Sequence, residues 1–182
     1  LYNMVDTWVI GQTGVPAAYA AVGSIAPIIN ILIGFFLGLA TGAGVIISQY
    51  FGAKDDENLH RSVRTALTLT LLLSVFVTLA GVFGAPLMLR LMLGGEESEV
   101  FEHAKTYLTI YFAGVAGLMI YNMGSGILRA VGDSRRPFLF LVIAALVNTA
   151  LDLVFVFGFQ MGVAGVALAT VIAQFVSAGL TL

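Results

Sequence analysis

No cysteine occurs among the 182 residues, which excludes disulfides and cysteine-ligated metal sites. Charge is nearly as scarce. Asp, Glu, Lys and Arg make up 10% of the chain, against about 25% in soluble domains. The formal net charge is -2, and no basic face exists that a nucleic acid could use. Histidine is limited to His60 and His103, which fall in polar connections on opposite sides of the bundle and form no metal or catalytic pair. No apolar stretch carries a Ser/His arrangement or a buried lysine, so the chain reads as a non-enzyme without a cofactor. What is present is apolar: 59% hydrophobic residues and a mean hydropathy of +1.01, the composition of an integral membrane protein. Residues 1–12 show no basic leader or cleavage signature. The chain begins without Met and stops at Thr181-Leu182 within an apolar run, so a fragment of a longer polypeptide is expected.

A membrane-crossing helix needs about 20 mostly apolar residues. Residues 24–50, 65–93, 106–128 and 137–157 qualify in full, while 1–12 and 163–182 are partial or truncated. The expected fold is therefore all-α, one six-helix transmembrane bundle forming a single domain over residues 1–182. If successive helices cross, the loops at 51–64 and 129–136 share one side. They hold Lys54, Arg61, Arg64, Arg129, Arg135 and Arg136, six of the eight basic residues. The opposite side carries Arg90 and Lys105 beside Glu96, Glu97, Glu99 and Glu102. The positive-inside rule places the first group in the cytoplasm. The second group then faces outward.

Against this background two acids stand out. Asp6 and Asp152 lie inside apolar stretches, where a charged side chain costs several kcal/mol or more and is retained for a partner or a task. Asn148 precedes Asp152 by one helical turn and shares its face. With the orientation above, Asp6, Asp152 and Thr170 all lie roughly 9–12 Å below the outer helix ends at 1.5 Å per residue. Three helices thus bring oxygen ligands to one level, where a proton or a small hard cation would relieve the cost of buried charge.

The order of these residues resembles the multidrug and toxin extrusion family of secondary transporters. The resemblance is carried by Leu1-Tyr2-Asn3-Met4-Val5-Asp6, Ala20-Ala21-Val22-Gly23 and Ser48-Gln49-Tyr50-Phe51-Gly52-Ala53-Lys54-Asp55. Leu128-Arg129-Ala130-Val131-Gly132-Asp133 with Pro137, Val147-Asn148 with Leu151-Asp152, and Gly165 with Ala167-Leu168-Ala169-Thr170 complete it. One departure is the Gly11 to Tyr19 connection, where Gln12-Thr13 and Pro16 stand in place of a short Gly/Ala turn. The resemblance implies the N-terminal lobe of a twelve-helix antiporter that exports cationic amphipathic compounds against sodium ions or protons. It implies a cation site of Asp6, Asn148, Asp152 and Thr170, with Tyr107 and Asn122 associated with the pocket. The implied partners are small cationic substrates, the lipid bilayer and a C-terminal lobe of the same polypeptide. The implied location is the plasma membrane of a prokaryote. Asn122 lies roughly 22 Å further along its helix than Tyr107, so it belongs to a cavity wall rather than to the same ion.

Several features have structural readings. Tyr107 and Tyr111 suit an interfacial aromatic belt. Gly34, Gly38 and Gly42 form tandem GxxxG, expected to let the second helix pack closely on a neighbour. Arg129, Asp133, Arg135 and Arg136 read as an inner loop touching lipid headgroups, and Pro137 as a helix start. Two other function classes remain open at this point. A flippase for lipid-linked oligosaccharides would want basic groups inside its cavity, whereas every Lys and Arg lies at a loop or helix end. A non-transporting scaffold would carry Asp6 and Asp152 at a cost without return.

Overall fold

Turn chemistry and close glycine contacts decide where the helices of this chain begin, break and meet. The computed structural model describes residues 2–93 and 98–182, with only the backbone of Tyr2 and Asn3. Leu1 and residues 94–97, Glu96 and Glu97 among them, lie outside the described residues. The described residues form α1 (Tyr2–Gly11), α2 (Pro16–Ala53), α3 (Asp56–Leu93), α4 (Glu99–Ala113), α5 (Val115–Ala130), α6 (Arg135–Leu153) and α7 (Gly162–Thr181). A π-helical turn, Val154–Gly158, extends α6. No strand occurs among the described residues.

Two helices run longer than the apolar pattern predicts, because their reversal takes only two residues. Lys54 adopts a left-handed conformation, φ 56° and ψ 33°. Its N–H donates to Phe51 O at 3.2 Å, while Asp55 N–H donates to Tyr50 O at 3.1 Å, which satisfies the last carbonyls of α2. Asp55 then starts α3, accepting the Asn58 amide N–H at 2.7 Å and its backbone N–H at 3.1 Å. Those bonds, the side-chain one foremost, favour the ionised form and hold the Asp55 carboxyl below its usual range. Their stabilisation is complete above that range and is lost as pH falls from it down through the lowered native value. A left-handed residue other than glycine costs about 1–2 kcal/mol, so Lys54→Gly should raise the thermal unfolding temperature. A lowered melting point would contradict this account of the turn.

The expected single helix over 106–128 is instead two. Ser98 Oγ accepts the Phe101 N–H at 3.2 Å and starts α4 earlier, and the chain bends by 50° between α4 and α5. The break sits at Gly114, where a Cβ would lie 2.9 Å from the Val171 Cβ and overlap the rest of that side chain. Without a side chain there, α7 presses into the bend. Among the described residues four helices, α2, α3, α6 with its π turn, and α7, are long and apolar enough to cross a membrane, and α4 with α5 can supply a fifth span. At 10 residues, α1 is shorter than a span.

The tandem GxxxG of α2 does not do what its spacing predicts. A Cβ at Gly34, Gly38 or Gly42 would meet nothing within 4 Å. These glycines border a cleft of about 920 Å³ between α2 and α3. Close approach occurs elsewhere, at Gly126 against Ala40, Gly81 against Phe112, and Gly114, Gly117 and Gly124 against α7. Spacing marks a smooth face; what covers that face is a tertiary matter.

Helix α7 is the centre of the bundle, packing against α4, α5, α6 and α1. Of its most apolar window 56% is buried, against 22% for α3 and α6. Phe76, Phe83 and Leu91 of α3 and Phe138 and Leu146 of α6 point outward instead, as lipid-facing side chains do. The protein is an integral membrane bundle. Its core is formed by Ile25 and Ile29 of α2, Leu89 of α3, Tyr111 and Phe112 of α4 and Val166 of α7. Between α5 and α6 Asp133 accepts the N–H groups of Arg135 and Arg136, both at 3.1 Å, and pairs with the Arg136 side chain at 3.2 Å, so it caps α6 as well as setting charge.

Candidate cation site

Helix α6 buries few of its residues, and they decide what the site is made of. Ala144, Asn148 and Asp152, four apart, are each fully buried, with Val156 of the π turn following at the same spacing. One i, i+4 stripe therefore carries an amide and a carboxylate into the interior. The π turn that follows closes with Phe159 N–H on Val154 O at 3.0 Å. Its Phe155 seats the start of α7: a Cβ at Gly165 would lie 3.0 Å from the Phe155 Cβ. The glycine lets α7 lie against the end of α6, near Asp152.

Asp6 enters from the middle of α1, which packs on α6 and α7. It is fully buried. Tyr107 of α4 donates its hydroxyl to Asp6 Oδ2 at 2.6 Å. Thr170 of α7 donates to the same oxygen at 3.0 Å, with Oδ1 at 3.3 Å. The Asn148 amide N–H donates to Thr170 Oγ1 at 3.2 Å. Four helices thus meet at one carboxylate. Asp152 is close enough to Asp6 for their charges to interact, yet no hydrogen bond joins the two. Both oxygens of Asp152 and the carbonyl oxygen of Asn148 are buried without a hydrogen-bond partner. Three acceptors left open beside a second acid make an electron-rich spot, and buried charge of this kind is costly unless neutralised.

The structure joins Asp6, Tyr107, Asn148 and Thr170 by hydrogen bonds and sets Asp152 one turn from Asn148. Tyr107 and Tyr111 are not belt residues: both are 1% exposed, with rings stacked at 6.1 Å. The Tyr107 hydroxyl serves Asp6 in the interior, which an apolar-position pattern does not reveal. Asn122 is not part of this network. It lies on α5, beyond the Gly114 bend, and donates to Leu118 O at 2.8 Å. Five buried polar groups were not singled out in the sequence: Thr70 and Ser74 on α3, Ser125 on α5, and Gln174 and Ser177 on α7. The spacing Thr170, Gln174, Ser177, one polar face along α7, was the available signal.

An all-α membrane bundle with an acid-lined interior is the class that fold and site define. The MatE family profile matches residues 1–154, and the chain belongs to that family. Among Bacillus subtilis (strain 168) proteins it is 37% identical over 159 residues to "Probable multidrug resistance protein YoeA", covering 85% of this chain and 34% of that one. It is 34% identical over 174 residues to "Probable multidrug resistance protein YpnP", covering 95% and 38%. A crystal structure described as MATE in the bent conformation superposes with a TM-score of 0.93 at 30% identity, over 100% of this chain and 40% of that one. The chain thus spans well under half the length of these relatives.

Proposed function

We propose that the chain is the N-terminal lobe of a secondary antiporter that exports cationic amphipathic compounds in exchange for sodium ions or protons. The observation that carries this reading is the set of open acceptors on Asp152 and Asn148 beside the hydrogen-bonded Asp6. A proton on one carboxylate, or one monovalent cation among these oxygens, would offset the cost of burying two acids. A divalent metal suits the site less well, since it offers two carboxylates and, among the described residues, no group of three or more His, Cys, Asp or Glu is arranged to hold a metal ion. Asp6, Asp152, Asn148 and Thr170 would hold the ion. Tyr107, through its bond to Asp6, ties α4 to the same event. Because α1, α4, α6 and α7 each contribute, loading and unloading the site would bias how these helices sit, the kind of differential contact alternating access requires.

Cargo sign follows from the same interior. Among the described residues the buried charged groups are Asp6 and Asp152, both acidic, which suits a cation and not a pyrophosphate-linked sugar. The naming of the relatives as probable multidrug resistance proteins supports drug-like compounds as cargo. The basic side chains within residues 51–64 and 129–136 support a cytoplasmic position for those ends, in a prokaryotic plasma membrane.

The test is export of ethidium from vesicles containing the full-length protein, driven by an imposed sodium or proton gradient. Asp152→Asn should leave a folded protein in which the gradient no longer drives ethidium. Coupling that survives the substitution removes Asp152 from the role. Movement of a lipid-linked sugar without movement of ethidium would favour the flippase.

A further inference from the structure

Helices α5 and α7 run parallel and in register, with Gly114, Gly117 and Gly124 facing Val171, Gln174 and Thr181 in turn. Beside this glycine seam lies a line of buried polar groups of which the carboxylate site uses only Thr170. On α7, Thr170, Gln174 and Ser177 share a face at i, i+4 and i+7, and are 1%, 2% and 1% exposed. On α5, Asn122 and Ser125 share a face at i and i+3, and both are buried. Thr170 is the outer end of the line, donating to Asp6. By helix rise Gln174 lies about 6 Å further in, Ser177 about 10 Å, and Ser125 roughly 18 Å by the register of the two helices.

Inward of Thr170 these groups do not tie helices together. The Ser177 hydroxyl donates to Gln174 O at 2.8 Å and the Asn122 amide to Leu118 O at 2.8 Å, each within its own helix. The Gln174 carboxamide oxygen and the Ser125 hydroxyl have no hydrogen-bond partner at all. Open acceptors in an apolar interior are costly unless water or an ion meets them. We infer that Gln174 and Ser125 continue the carboxylate site inward as a hydrated track, along which a small monovalent cation passes between the Asp6–Asp152 pair and the inner ends of α5 and α7. The inference rests on the proposed cation site, since it supplies the route to it.

The absence of cysteine from the chain allows a direct probe. In the full-length protein cleared of other thiols, Gln174→Cys and Ser125→Cys should each react with silver ion, a sodium-like thiol-seeking cation, supplied from the inner side. Ala169→Cys, equally buried on another face of α7, should stay unreactive. Gln174→Leu should slow exchange of cation from the inner side by about tenfold, the loss expected for one oxygen ligand, while equilibrium cation binding stays near wild type. Silver-inert thiols at both positions, or wild-type exchange in Gln174→Leu, would overturn the track. Loss of the site reading shows differently: Asp152→Asn would then bind cation as well as wild type, whatever the thiols do.

Discussion

Asp6→Asn should cut gradient-driven export by roughly 30- to 150-fold while the protein still folds. Asp6 is fully buried and accepts hydrogen bonds from Tyr107 and Thr170, on two different helices. Bonds to a charged acceptor are worth about 1–1.5 kcal/mol more than neutral ones, so neutralising Asp6 forfeits about 2–3 kcal/mol of ion-dependent organisation, at 1.4 kcal/mol per tenfold. It also removes one of the two charges that would attract the cation. The fold survives because the amide is nearly isosteric and no longer carries the desolvation cost of a buried anion. The measurement is the initial rate of ethidium export at a fixed gradient, with the melting temperature in detergent as the folding control. Export within threefold of wild type would show that Asp6 is structural.

The second large effect is on assembly. Gly117→Leu should lower stability by about 3 kcal/mol or abolish the folded protein, because even its Cβ would lie 3.0 Å from Phe175 N and 3.1 Å from the Gln174 carbonyl carbon. Backbone atoms cannot swing aside as a side-chain end can. Gly38→Ala, one of the tandem GxxxG positions, should instead be neutral or stabilising by up to about 1 kcal/mol through helix propensity, since nothing lies within 4 Å of its Cβ. Thermal melting of the two variants side by side reads both. Equal destabilisation would mean that the α2 glycine face is packed after all.

Why one glycine set could be misjudged and the carboxylates read correctly is a matter of what each signal contains. A buried acid is costly wherever it points, so Asp6 and Asp152 announce themselves by membership of an apolar run. Helix rise then places them, with Thr170, at one depth, because depth depends on residue counts alone. Rotation about each helix axis is not carried by counts. For that reason Tyr107 could be taken for a belt residue although its hydroxyl reaches Asp6, and Gly34 for a contact although it borders a cleft. The bend at Gly114 was hidden because Tyr111-Phe112-Ala113-Gly114-Val115 reads as unbroken apolar helix, and its cause lies on α7, in Val171. The extra length of α2 and α3 was legible only in their turn chemistry. Lys54 and Asp55 close one helix and open the next without spacer residues, whereas the polarity of residues 56–64 suggested a loop. Gln174 and Ser125 look like ordinary interhelical contacts until their oxygens are found without partners.

The most direct test of the account is carbodiimide modification of Asp6 and Asp152 in the full-length protein, quantified by mass spectrometry with and without the coupling ion. Carbodiimides attack protonated, ion-free carboxyls, so both residues should be modified at low pH in sodium-free buffer and protected together by sodium or by raised pH. Modification of either residue that ignores both sodium and pH would contradict a shared cation site.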